Sequence, residues 1–101
     1  MFPRSLRYHD AVFDDVADAI TFYVAADPAV AKRFRGRLTN AFDAIAARPE
    51  MHARFDEGLF AVLVRGFPYF VLFSLPDDGP FVLAVAHARR QPGYWSDRLA
   101  D

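Results

Sequence analysis

No cysteine occurs in the 101 residues, which excludes a disulfide framework and any zinc site built on thiolates. Lysine is nearly absent as well, Lys32 being the only one, and the formal charge is −1 at pH 7. Such a balance argues against holding nucleic acid by bulk electrostatics, which needs clustered positive charge, although a local basic patch is compatible with it. No specific DNA binding is expected. No apolar run approaches the ~20 residues that span a bilayer. The longest apolar stretches, between residues 59 and 88, are interrupted by Arg65, Gly66, Pro68 and the segment 76–80. The N-terminal MFPRSLRYHD carries charge where a secretory signal needs an apolar core, so a cytoplasmic protein is expected. There is no glycine-rich phosphate loop and no nucleophile elbow. His9 and His52 lack companions at ligand spacing, so neither a metal site nor a cofactor is expected.

What is abundant is apolar surface. Hydrophobic residues make up 53% of the chain and charged residues 25%, with 11 phenylalanines. That composition predicts a folded chain, and its length fits one domain over residues 1–101. A weakly alternating segment at 4–9 reads as a short strand. Val12, Val16, Ile20 and Tyr23 then form one stripe of a helix over 10–25, with Asp10 as its expected N-cap and Asp14, Asp15 and Asp18 in its first turns. Asp27-Pro28 opens a second helix running to about Arg48, with Val30, Phe34, Leu38, Phe42 and Ile45 on its apolar stripe. A turn this short makes the two helices an antiparallel hairpin.

Past residue 58 the period changes. Residues 59–65, 67–75 and 80–88 read as three strands of an antiparallel meander, linked at Arg65-Gly66 and through the Pro76–Pro80 turn. Residues 49–58 read as a loop. With the first strand joining at the side, the order is β-α-α-β-β-β in an α+β fold. The helical hairpin then packs on one face of a small, mostly antiparallel sheet, followed by a short C-terminal helical turn. Both faces of that sheet are apolar: Phe67, Tyr69, Val71, Phe73 and Leu75 alternate with Phe70 and Leu72, and Phe81, Leu83 and Val85 with Val82, Ala84 and Ala86. A hairpin covers one face only. The other calls for the C-terminal tail with the 49–58 loop, a second copy, or another protein.

The last strand ends in His87-Ala88-Arg89-Arg90-Gln91-Pro92-Gly93-Tyr94-Trp95. This string resembles the C-terminal signature of RelE/ParE-type toxins of bacterial toxin–antitoxin systems. FPYFVLF, YVAADPAVAKRF and AIAARP resemble that family's central strand, inter-helix turn and helix-two ending, in the same order along nearly the whole chain. The resemblance implies a small toxin neutralised by a cognate antitoxin whose flexible segment wraps it. RelE-like members cleave mRNA in the ribosome, and ParE-like members poison DNA gyrase.

Phosphodiester cleavage needs a general base, a general acid and cations for the charged transition state. Beyond Arg65 and His87 the three strands offer no such cation, so the sequence looks closer to ParE, with RelE-like endoribonuclease activity as the alternative. For a nuclease the candidate groups are Arg65, His87, Arg89, Arg90 and Tyr94. For contact with a target they are Arg89, Arg90, Tyr94, Trp95 and Arg98. Neighbours on a strand point to opposite sides, so only one of Arg89 and Arg90 belongs to any one site. Phe60, Val62, Phe70 and Leu72 are candidates for antitoxin contact, with Arg33 and Arg37, because residues 29–65 carry seven positive against four negative charges.

Overall fold

Helix α1, Ala11–Ala26, opens the computed structural model's first layer, and its start is not where a carboxylate cap was expected. The structure describes residues 1–56, 58–89 and 95–100, the side chain of Ala100 excepted. Asp10 already has helical backbone angles and its side chain caps nothing. A capping side chain needs an extended backbone at its own residue. The ring of His9 acts instead, its Nδ1 accepting the Ala11 N–H at 3.1 Å.

The junction with α2, Pro28–Ala47, follows the expected chemistry. Asp27 is extended, its carboxylate accepts the Ala29 N–H at 2.9 Å, and its own N–H closes α1 on Tyr23 O at 2.8 Å. One residue thus ends one helix and starts the next, so the two pack side by side. Val12, Val16 and Ala19 of α1 and Ala31, Phe34, Leu38, Ala41, Phe42 and Ile45 of α2 are buried. Val30, expected on the stripe, lies at its half-exposed margin.

Five strands form one sheet in the order β1-β5-β4-β3-β2: β1 Arg7–Tyr8, β2 Ala53–Asp56, β3 Leu59–Val64, β4 Tyr69–Ser74 and β5 Phe81–His87. Only β1 runs parallel to its neighbour, pairing Arg7 with Phe81 and Tyr8 with Val82. It is shorter than the expected 4–9. The 49–58 segment is not a loop: a 3-10 turn over Pro49–Met51 leads into β2, antiparallel to β3. All four β2 residues are exposed, so no alternation marked the strand. Val64 and Tyr69 close the β3–β4 hairpin across Gly66, which adopts φ +84°, and Phe67 belongs to this turn instead of the strand. Ser96–Ala100 forms the C-terminal 3-10 turn.

A bulge in β5 changes which residues face which way. Leu72 pairs with Ala84 but Phe73 with Val82, so Leu83 is an extra residue opposite no partner. Strict alternation therefore fails. Val82 and Val85 enter the core under the helices with Val71 and Phe73, whereas Leu83, Ala84 and Ala86 join Leu59, Leu72 and Trp95 on the opposite face. Both faces are indeed apolar. The far one is covered from within the chain by Trp95, whose ring meets Phe55 of β2 at 5.5 Å and Phe70 at 6.2 Å.

Tyr8 ties the N-terminal segment to this core. Its hydroxyl donates to Pro3 O at 2.8 Å, and its ring packs edge-on against Phe42. Burial, with Asp43 nearby, pushes its pKa up to about 12 from 10.0. The folded state therefore holds the phenolic proton more tightly than the unfolded chain, and that stabilisation, complete below pH 10, is lost as pH rises toward 12. Tyr8→Phe is expected to lower stability by about 1 kcal/mol at neutral pH and to flatten the fall in Tm through this alkaline range. A Tm profile parallel to wild type would contradict it.

Candidate functional site

The outer edge of β5 is only partly covered by a strand, because β1 stops at Tyr8 opposite Val82. Beyond that point two side chains take over. Val85 N–H donates to Asp15 Oδ2 at 3.0 Å, and Arg98 Nη1 donates to Leu83 O at 3.2 Å. Asp15 and Arg98 also pair with each other through two bonds, Nη1 to Oδ2 at 2.7 Å and Nη2 to Oδ1 at 2.9 Å. The side chains are 6% and 14% exposed, so the pair is largely withdrawn from water. Together they serve as a surrogate neighbour for β5, and they anchor the C-terminal turn. Arg98 N–H bonds back to Trp95 O at 2.9 Å, which holds the indole on the sheet.

Where this surrogate ends, a cleft of about 420 Å³ opens between α1 and the end of β5. Asp15, Asp18 and Phe22 line its helix side, and Tyr69, Val85, His87 and Arg89 its sheet side. Phe22 is 67% exposed, a large apolar surface beside charged groups. The ring of His87 stands edge-on to Tyr69 at 4.9 Å, and its Nδ1 accepts the Arg89 N–H at 3.0 Å. That bond turns the chain at the strand end and leaves Arg89 exposed at the cleft's rim.

A second cleft, of about 460 Å³, lies between α2 and β3. Arg37, Asn40, Ala41, Ala44, Val62, Leu63 and Arg65 line it. Arg65 thus lines a different cleft from His87 and Arg89. Arg90 and Tyr94 lie outside the described residues.

The remaining candidates divide in the same way. Trp95, 7% exposed, and Arg98 are built into the fold, so neither offers its side chain to a target in this conformation. Leu72 is fully buried under Trp95 and is likewise withdrawn from contact with an antitoxin. Phe60 and Val62 face the helices, whereas Phe70 lies on the opposite face, stacked on Phe55 at 5.5 Å. These residues therefore make no single surface. Arg33 and Arg37 are exposed on α2 as expected.

Sequence reasoning missed Asp15, Asp18, Phe22, Tyr69, Asn40 and Leu63. Asp15 left a trace. It sits between Val12 and Ala19 on the buried stripe of α1, where an acid requires a partner. Among the described residues no helix is long and apolar enough to cross a membrane.

Comparison with known proteins agrees with this architecture. Residues 6–92 match the family model described as the ParE toxin of the type II toxin–antitoxin system, parDE. Two relatives, each called Toxin ParE2, come from Mycobacterium tuberculosis strains CDC 1551 / Oshkosh and ATCC 25618 / H37Rv. Each is 32% identical over 94 residues, covering 88% of this chain and 86% of the relative.

Proposed function

Since the chain belongs to the ParE toxin family of type II toxin–antitoxin systems, we propose that it acts in the cytoplasm by inhibiting DNA gyrase through protein–protein contact, and that a cognate antitoxin neutralises it. The shortage of cations on the three long strands, with Arg65 lining a different cleft from His87 and Arg89, is the observation that supports this reading over RNA cleavage. A phosphodiester transition state needs its cations and proton carriers around one reacting atom. Here Arg65 lines the cleft beside α2, whereas His87 and Arg89 line the one beside α1. No antitoxin fold is needed to hide the sheet's far face, because Trp95 already covers it. Neutralisation therefore acts on a toxin that is already folded.

The rim of the α1–β5 cleft is the surface proposed to meet gyrase. Exposed Phe22 supplies an apolar anchor and Arg89 a guanidinium fork for carboxylates on the target. Purified protein is expected to block supercoiling by gyrase, while leaving mRNA intact in a translating extract. Unaffected supercoiling would remove the gyrase reading, and cut message would replace it with the nuclease. Arg89→Glu should raise the concentration needed for half-inhibition about tenfold or more with an unchanged Tm. Equal inhibition by this variant would move the target surface elsewhere.

A further inference from the structure

Charge is divided unevenly between the two helices. From Asp10 to Asp27 the chain holds five acids and no base, whereas α2 carries Lys32, Arg33, Arg35 and Arg37 within two turns and one acid, Asp43. These cations do not share one side of α2. Arg35 lines a separate cleft with Met1, Phe2 and Phe13. Arg33, Gly36, Arg37 and Asn40 fall at i, i+3, i+4 and i+7, so they form one face, and all four are exposed. Arg65, exposed at the end of β3, meets Arg37 and Asn40 across the α2–β3 cleft, which no acid lines. Among the described residues, ion pairs join Arg7 to Asp78 and Arg98 to Asp15, and Arg33, Arg37 and Arg65 have no acidic partner.

Gly36 adds an independent observation. Glycine disfavours a helix interior more than any residue except proline. Packing within the chain does not require it here, because no atom lies within 4 Å of where its Cβ would stand. What the missing side chain does permit is close approach of a partner from solvent.

The chemistry of the face decides the class of that partner. A protein partner calls for a large apolar or aromatic anchor, and none of the exposed large apolar residues lies on α2; Leu63, in the adjoining cleft, belongs to β3. Single-stranded nucleic acid is held by stacking on aromatic side chains, which this face lacks as well. It offers cations one helical turn apart beside a bare stretch of backbone, and that suits the regular phosphate row of a duplex. B-form DNA has a wide major groove that admits a helix, whereas the major groove of duplex RNA is narrow and deep.

We propose that this face of α2 binds the sugar–phosphate backbone of duplex DNA without regard to sequence. Arg33, Arg37 and Arg65 contact phosphates, Asn40 is a neutral donor, and Gly36 is the point of close approach. The net charge of −1 is no obstacle, since the acids of the hairpin gather on α1 and the field over α2 is local. Only the setting, DNA already held by the target enzyme, rests on the gyrase reading above.

A short fluorescein-labelled DNA duplex is the probe, read by anisotropy against the whole protein. Saturable binding in the micromolar range is expected at about 50 mM salt, with a log–log salt slope of about −2 to −3. Arg37→Gln should reduce that slope by about one. Arg35→Gln, the same change of charge on the other side of the same helix, should leave it unaltered. Arg33→Gln/Arg37→Gln should weaken binding about tenfold or more. Gly36→Gln keeps the charge and suits a helix better, so Tm should rise while affinity falls about fivefold or more. No saturable binding overturns the proposal, as do equal losses from Arg35→Gln and Arg37→Gln, or undiminished binding by Gly36→Gln. Tighter binding of a single strand or of an RNA duplex of the same sequence overturns it too. The mixture contains no gyrase, so failure here and failure of the target reading are distinguishable.

Discussion

Arg98→Ala is expected to lower the free energy of unfolding by about 3–5 kcal/mol, the range for breaking one partner out of a largely buried ion pair. The substitution leaves the Asp15 carboxylate, 6% exposed, with its charge unpaired. It also removes the donor that Leu83 O uses at 3.2 Å. Of the two side-chain bonds to the outer edge of β5 beyond β1, only that from Val85 N–H remains, to a charge that has lost its counter-ion. Asp15→Ala should be comparably damaging, because it frees the guanidinium and the Val85 N–H together. The informative measurement is the double-mutant cycle by urea unfolding. Two groups that stabilise β5 as one unit must give a double mutant much less destabilised than the sum of the singles. Strict additivity, or a single-mutant loss below about 1 kcal/mol, would show the pair to be an ordinary surface salt bridge.

Trp95→Ala should cost about 3–5 kcal/mol, the typical loss for removing a buried large aromatic. Its indole shares one buried cluster with Leu59, Leu72, Leu83, Ala84 and Ala86, the buried residues on the far side of the sheet. Phe70 and Phe55 reach it from the margin, but Phe55 is 44% exposed and belongs to an edge strand with no buried residue. Among the described residues nothing else in this neighbourhood is placed to take over the cover. The variant is therefore expected to bind the dye ANS and to self-associate at micromolar concentrations, besides unfolding at lower urea. If Trp95→Ala stays monomeric, dye-free and within about 1 kcal/mol of wild type, the far face is less dependent on this lid than its packing implies. Because the chain holds one tryptophan, emission of the native protein reports the same lid, and Arg98→Ala should red-shift it.

Much of the architecture was legible in local pattern. The 3.6-residue stripes of Phe34, Leu38, Phe42 and Ile45 and the Asp27-Pro28 punctuation predicted the helical hairpin, and the chain folds that way. The three long strands and their order were legible from Val, Phe and Leu runs between turn signals. β2 was not, because an edge strand that buries nothing has no reason to alternate. The β5 bulge escaped for another reason. Leu83 and Ala84 are both apolar, so strict alternation and its interruption look alike in a segment apolar on both sides. Of the candidate site residues, Arg89 and His87 do share a cleft, whereas Arg65 faces another. Trp95 and Arg98, candidates for contact with a target, turn inward.

The amino-acid sequence alone determined that this chain makes a helical hairpin and a meander with two greasy faces, because hydrophobic period is a property of neighbouring residues. Tertiary structure decided how the second face and the incomplete sheet edges are closed. Asp15 and Arg98 lie 83 residues apart and become partners only once β5 stands between them. β2 begins only at Ala53, opposite Ala61, because the histidine before it reaches α2. Both outcomes depend on backbone groups finding donors and acceptors in three dimensions, and no local pattern carries that information.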